Sequence, residues 1–328
     1  MDWRATIPVH VDLDGRTPRI LEIELGGIET PALLDDAELR GLVRRHPERL
    51  RWRRVAADAP RRAQATDLGL LFHVARCGST HAARLVAASG EARVLVEPEA
   101  LNAALVAPLD PPARQRLVVA LVDAIAGEGR TPLLIKLSSW NALFIAELRA
   151  ALPRARAAVL VRAPLEVLVS LTQRPPPWLV DGGEAGPCLA AQLLDARPGP
   201  LPAGASASER AAALLAAILT ATLAEPEAPR FVDYEELPDA AWEVLLGHLL
   251  GLRPAARTIA AMRERAHVDA KRPERRFTGD SAAKRASASA ALRGRAAALA
   301  ELYAEARARA RAHARADDRD AAGDPTPP

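Results

Sequence analysis

From Leu68 onward the chain alternates short apolar runs with amphipathic stretches, and that alternation limits its fold more than any other feature. The apolar runs are Leu68–Val74, Arg93–Val96, Leu133–Lys136, Ala157–Val161 and Arg230–Asp233. Helical periodicity fills the intervals, over 80–89, 112–126, 141–151, 164–172, 208–224, 238–250 and 255–265. Strands separated in this way by helices predict an α/β fold of three layers, a central parallel sheet with helices on both faces. Ligands of such sheets bind beyond the carboxyl ends of the strands. The residues immediately after each strand therefore carry the functional information.

The flanking regions read differently. In residues 1–65, Ile7–Leu13 and Arg19–Leu25 alternate apolar and polar side chains, as half-exposed strands do. Asp35 stands where a helix over 35–43 would need its cap. The Arg-rich stretch 44–62 reads as a solvated face or a linker. Together these make 1–65 a small N-terminal cap, followed by an α/β domain over 66–280. Within that domain, 173–207 is rich in Pro and Gly and too long for an ordinary connection, which predicts a lid or disorder. Residues 281–316 are Ala- and Arg-rich and helical by propensity. They form an extension that ends in a disordered tail over 317–328.

Charge and composition exclude several classes. The 44 Lys and Arg residues nearly balance 41 Asp and Glu, leaving a formal charge of +3. That argues against a dedicated nucleic-acid binder, and the acids at Glu305, Asp317 and Asp318 offset the Arg-rich stretch 305–315. Two cysteines, Cys77 and Cys188, cannot supply a disulfide framework or a Cys-rich zinc site. His73 and His81 are too isolated to suggest a metal. No run approaches the ~18 apolar residues of a membrane span, and the first residues carry no basic-then-apolar leader. The expectation is a soluble cytoplasmic protein without membrane partners. Oligomeric state is not readable.

After the first strand comes Arg76-Cys-Gly-Ser-Thr80, a Gly-containing turn that opens a helix. Free N–H groups and the helix dipole favour an anion at such a place. The N–H groups from Arg76 through Cys77 and Gly78 to Thr80, the hydroxyls of Ser79 and Thr80, and the Arg76 guanidinium predict a phosphate site. No Gly-Lys-Ser/Thr closes the loop, so it is not a Walker A sequence. Glu97-Pro-Glu99 follows the second strand, Lys136 ends the third, and Arg162 follows the fourth. Three strands thus deliver cations to one edge and one delivers carboxylates. Lys136 is one of only three lysines, with Lys271 and Lys284, in an Arg-biased chain.

These motifs, in this order, resemble the sulfotransferases that use 3′-phosphoadenosine 5′-phosphosulfate (PAPS). Ala75-Arg-Cys-Gly-Ser-Thr80 stands where that family has Pro-Lys/Arg-Ser-Gly-Thr-Thr. Arg162, Pro164 and Ser170 reproduce the spacing of its second signature, and Val232-Asp-Tyr-Glu-Glu-Leu237 resembles a strand ending in Tyr-Glu-Asp-Leu. The resemblance covers roughly 68–280. It implies a P-loop-like core in which the 76–80 loop holds the phosphosulfate, while Arg162 and Ser170 hold the 3′-phosphate. It further implies Arg76 and Lys136 as stabilisers of the reacting oxygens, no metal, and a small-molecule or glycan-like acceptor.

The pattern also departs from the family. Ser138 occupies the position of the His used by small-molecule members, and His81 sits where some members have Trp. Glycan- and tyrosine-sulfating members use a Glu after the second strand instead, and the resemblance implies Glu97, 21 residues beyond Arg76, in that role, with Glu99 competing for it. The family's late basic loop is only echoed by Arg275-Arg-Phe-Thr-Gly-Asp280. A non-catalytic PAPS- or nucleotide-binding protein of the same fold is the alternative. A P-loop kinase is disfavoured by the absent Gly-Lys-Ser/Thr.

Overall fold

The computed structural model describes residues 3, 5–13, 17–55, 67–127, 131–180, 188–196, 201, 204–269, 274–276 and 278–322, with side chains as far as Arg315. The chain begins with β1 (Thr6–Asp12), β2 (Arg19–Glu24), β3 (Leu33–Leu34), α1 (Asp36–Arg45) and β4 (Leu50–Arg54). It continues with β5 (Leu68–His73), α2 (Ser79–Ala88), β6 (Arg93–Val96), α3 (Glu99–Leu105), α4 (Pro111–Ala126), β7 (Leu133–Lys136) and α5 (Ile145–Ala151). Then come β8 (Arg156–Val161), α6 (Pro164–Gln173), α7 (Leu189–Asp195), α8 (Ala207–Leu223), β9 (Arg230–Asp233) and α9 (Ala256–Ala266). The last helices are α10 (Ser281–Ser287), α11 (Ala290–Ala297) and α12 (Ala300–Ala322).

Six strands form the central parallel sheet, in the order β3-β6-β7-β5-β8-β9, with helices flanking it. β7 pairs in parallel with β5 on one side and β6 on the other, and β3 pairs in parallel with β6. All six residues of β5 are buried, as a strand covered on both faces requires. Burying a side chain such as Leu70 or Phe72 contributes roughly 1.5–3 kcal/mol. β1, β2 and β4 form a separate antiparallel sheet.

By internal packing the chain divides into two compact units. The first comprises Met1–Phe72, Ser79–Ala158 and Leu237–Phe277. Its small sheet buries Ile7, Ile20 and Ile23 completely. Asp35 caps α1 as the sequence predicts, accepting from the Glu38 N–H at 3.0 Å. Asp110 caps α4 in the same way, with Pro111 at the first helical position. The far end of α4 is closed by a buried cation. Arg93, fully buried in β6, donates to the carbonyls of Ala126 at 2.8 Å and Thr131 at 3.1 Å, and lies over the Trp3 ring. Helix C-termini leave carbonyls unsatisfied and favour positive charge, so a charge in an otherwise aliphatic strand is accommodated here. Gly69 permits a close approach, because a Cβ there would lie 3.1 Å from the side chains of Leu249 and Leu250.

The second unit comprises His73–Gly78, Val159–Glu236 and Thr278–Pro328. Here α6 packs against α8, α10 and α11. α12 lies on β9 and α8, burying Ala306 and Ala310. Tyr303 donates its hydroxyl to Asp233 at 2.7 Å, and Arg307 pairs with both Asp233 and Glu235. Burial, followed by the Asp233 hydrogen bond, raises the Tyr303 phenol well above its ordinary range. The Arg-rich stretch 305–315 is thus spent partly on docking this helix.

Several expectations need correction. Part of the supposed linker 44–62 is β4, because Arg53 reaches across β2 to the buried Glu22 at 2.7 Å. Residues 56–62 lie outside the described residues. Of the helix expected over 141–151 only Ile145–Ala151 is α-helical, its first residues belonging to a tighter 3₁₀ turn at Ser139–Phe144, and 241–249 winds as a π-helix. Within 173–207 the described parts hold a turn at Pro177–Leu179 and α7, while 181–187, 197–200 and 202–203 lie outside the described residues. α12 continues to Ala322 rather than giving way to a tail at Asp317, in keeping with its alanines. Residues 323–328 lie outside the described residues.

Candidate functional site

Two residues other than glycine have positive φ among the described residues, Arg76 at 61° and Glu97 at 50°. A side chain in this left-handed region costs on the order of 1–3 kcal/mol and persists where the surroundings impose it, often at functional sites. Both follow strands of the parallel sheet: Glu97 comes directly after β6, and Arg76 lies in the turn after β5. The turn is completed by Gly78, φ 88°, a conformation glycine adopts without penalty. Cys77 is fully buried in it. α2 then opens at Ser79, which is buried, with Thr80 half-buried behind it.

In the second unit the sequence-predicted Arg76, Arg162 and Ser170 come together. Arg76 donates from Nε to the Ser170 hydroxyl at 2.9 Å. Arg162 directs Nη1 at the carbonyl of Arg76, 3.3 Å away, and its guanidinium lies 3.9 Å from the centre of the Tyr234 ring. Pro164 opens α6, placing Glu166 one helical turn after Arg162, where Nε meets it at 2.7 Å. Nη2 of Arg162 reaches Asp280 at 2.6 Å and the Ser281 hydroxyl at 3.0 Å. Ser281 in turn donates to Glu166 at 2.8 Å, Arg285 joins Glu166 at 2.9 Å, and Lys284 joins Asp280 at 2.8 Å.

The electrostatics follow from this packing. Burial alone would lower Arg162, but the hydrogen bonds from Asp280 and Glu166 outweigh it and hold the guanidinium above its ordinary value. Burial would raise Asp280, yet Lys284 and Arg162 together pull the carboxyl below its usual 3.8. Arg76 is lowered by burial and then by Arg174, and Lys284 by burial against the pull of Asp280. Four cations, Arg76, Arg162, Lys284 and Arg285, with Arg174 near Arg76 as a fifth, gather about two carboxylates, Glu166 and Asp280.

In the first unit the sequence-predicted Lys136 and Glu97 meet. β6 and β7 pair so that Val96 lies opposite Lys136, and the Glu97 N–H donates to the Lys136 carbonyl at 2.6 Å. The Lys136 ammonium hydrogen-bonds the Glu97 carboxylate. The cation is 1% exposed and the acid 45%, so the pair presents its carboxylate outward. Glu99 is exposed in the first turn of α3. Ser138, in the position of the family's His, is the N-cap of the following turn, its N–H bound to the Asn141 side chain at 2.8 Å. His81 is buried, and burial with the nearby Arg265 lowers its pKa.

Sequence reasoning did not foresee Glu166, Asp280, Ser281, Lys284, Arg285 and Tyr234 around Arg162. Only Glu166 carried a local signal, its separation of four residues from Arg162 on one helix. No group of His, Cys, Asp and Glu suited to a metal occurs among the described residues. No described helix is long and apolar enough to cross a membrane.

No family model and no curated protein sequence matches this chain. Among solved structures it is similar to the sulfotransferase STF9 from Mycobacterium avium, at 15% identity and a TM-score of 0.39, over 69% of this chain and 71% of that one. It is also similar to the sulfotransferase domain from the curacin biosynthetic pathway, at 16% identity and a TM-score of 0.35, over 66% of this chain and 82% of that one.

Proposed function

We propose that the protein is a PAPS-dependent sulfotransferase. The reading rests above all on the second unit, where Arg162 and Ser170, paired by spacing alone in the sequence, both engage Arg76 of the turn. The cations there outnumber the two carboxylates and leave an excess of positive charge. A phosphomonoester carries about −1.5 to −2 at neutral pH, so the 3′-phosphate of PAPS is opposite in sign to that excess. On binding it takes the place of Asp280, which is 53% exposed, on Arg162, while Glu166, 3% exposed, stays.

In the reaction the acceptor hydroxyl gives its proton to Glu97. Its oxygen bonds the sulfur as the bond from sulfur to the 5′-phosphate oxygen breaks, and adenosine 3′,5′-bisphosphate leaves. The 76–80 N–H groups, the hydroxyls of Ser79 and Thr80, Arg76 and Lys136 stabilise charge on the transferring and leaving oxygens. Lys136 also holds the Glu97 carboxylate in one orientation. The family's alternative base is absent here, since Ser138 serves as a helix cap.

A thermal-shift panel of PAPS, its desulfated product, ATP–Mg and GTP–Mg tests the reading. A ligand at 100 times its Kd stabilises by about 2.7 kcal/mol, and only the two 3′-phosphorylated nucleotides are expected to do so. Stabilisation by ATP–Mg alone refutes it. Arg162→Ala should cost about 1.5–3 kcal/mol of PAPS affinity, as a charged hydrogen bond does. It should cost much less for adenosine 5′-phosphosulfate, which lacks the 3′-phosphate, and equal losses in calorimetry remove the assignment. Because Ser138 replaces the expected base, a binding protein without catalysis is the second reading. PAPS binding with no transfer to any acceptor would establish it.

A further inference from the structure

The first unit contains a cavity of about 320 Å³ built largely from residues outside the motif-bearing region. β1 contributes Pro8, β2 Leu21, and α1 Leu39 and Val43. The segment that closes β6 supplies Val96 and Pro98 to the same cavity, and between them Glu97. The volume is at the lower end of the roughly 300–1,000 Å³ typical of small-molecule sites.

The lining constrains the occupant. Its inner wall is aliphatic, from Val9, Leu21, Leu39, Val43 and Val96, and its polar members, His10 among them, lie at exposed positions. Asp36 pairs with Arg40 at 2.5 Å, and Glu97 is held by the buried Lys136. Arg44 and Glu99, of opposite charge, are exposed. An aliphatic wall strips water from a polar body without returning hydrogen bonds, which is unfavourable for each group so buried. A sugar, with hydroxyls along every edge, would meet that cost repeatedly. An alcohol with an apolar body meets it once, at the hydroxyl, and there Glu97 can accept the proton. Two features beyond the cavity single out Glu97. Its backbone is held at φ 50°, and its carboxylate is fixed by an ammonium that is itself 1% exposed.

We infer that this cavity is the acceptor site and that it takes an uncharged alcohol with a small apolar body, its hydroxyl directed to Glu97. The cap sheet and α1 therefore select the substrate. The inference deepens the sulfotransferase reading and depends on it only for what becomes of the bound hydroxyl. On that reading the hydroxyl proton passes to Glu97 and the oxygen takes the sulfuryl group from PAPS, releasing adenosine 3′,5′-bisphosphate.

Saturation-transfer NMR on the full chain tests the site, with octanol as the apolar probe and methyl glucoside as the sugar. Octanol should bind and methyl glucoside should not. Val43→Trp, which fills the cavity from α1, and Leu21→Gln, which makes the β2 wall polar, should each weaken octanol binding at least tenfold. Thermal melts confirm that the variants fold, and the second variant decides should the first not fold. Octanol binding unchanged in the folded variants, no octanol binding at all, or a preference for methyl glucoside overturns the inference. Incubation with PAPS separates the two readings. Octanol bound in the cavity without sulfated product leaves the site standing and removes transferase activity. Octanol sulfate formed equally by wild type and both variants keeps the activity and removes the site.

Discussion

The two units each place a cation beside a carboxylate after strands of the parallel sheet, but only the first exposes one of the partners. In the first, Lys136 is 1% exposed and Glu97 45%, so the carboxylate is presented and the ammonium is hidden. In the second, Arg162 and Glu166 are 5% and 3% exposed, and each is also bound by others, Arg162 by Asp280 and Glu166 by Arg285. An exposed carboxylate steadied from behind is suited to accept a proton. A buried, mutually satisfied network is suited to hold a fixed anion and to keep α6, α10 and the turn at Arg76 together. On the proposed reading, the same ion-pair chemistry gives reactivity in one place and cohesion in the other, and burial decides which.

Substitutions can break this contrast. The largest effect is expected from Glu97→Gln, which should lower turnover by ~10²–10⁴, the usual worth of a general base. Cofactor affinity in calorimetry should stay nearly constant, and full turnover in the variant moves the role to Glu99 or to none. Next is Glu166→Gln, which leaves two guanidinium groups facing a neutral amide. Breaking a buried pair costs about 3–5 kcal/mol, to be read from urea denaturation. A cost under about 1 kcal/mol would equate this network with an exposed surface pair.

The smallest effect belongs to Asp280→Asn. Asp280 is half exposed and solvent screens it, so freeing Arg162 should tighten 3′-phosphate binding by only a few-fold, the worth of an exposed pair at about 0–1 kcal/mol. Weaker binding would mean that Asp280 supports the site instead of competing for it. The pH response follows the depressed carboxyl. Its pairing is fully present above the ordinary value of 3.8 and is lost as pH falls through the lower folded value. NMR titration of the Asp280 carboxyl should therefore show a midpoint below 3.8. A midpoint above it contradicts the clasp.

Much of this was legible in the sequence. All five apolar runs are strands of the central sheet, since uninterrupted apolarity bounded by turn residues has few other uses. Arg162, Ser170 and Arg76 were legible through spacing, because one follows a strand and the next lies two helical turns on. Interactions with distant partners were not. β4 reads as solvated, with arginines at 51, 53 and 54 and Trp52 half exposed, until Arg53 finds Glu22 on β2 and the Ala120 carbonyl. Asp280 is 118 residues from Arg162, and no local window joins them. The π winding of 241–249 adds a residue to each turn, which a search at 3.6 residues per turn cannot register.

The left-handed backbone at Arg76 and Glu97 also bears on how this sequence can change. Glycine would relax both positions, so each replacement would recover conformational energy while deleting a guanidinium or a carboxylate. Selection for heat resistance alone would favour glycine at 76 but not at 97, where deleting the carboxylate strands the buried Lys136 ammonium at a cost above the strain relieved. In a laboratory evolution experiment, the codon at 76 would record which pressure had prevailed, since turnover would retain the guanidinium there.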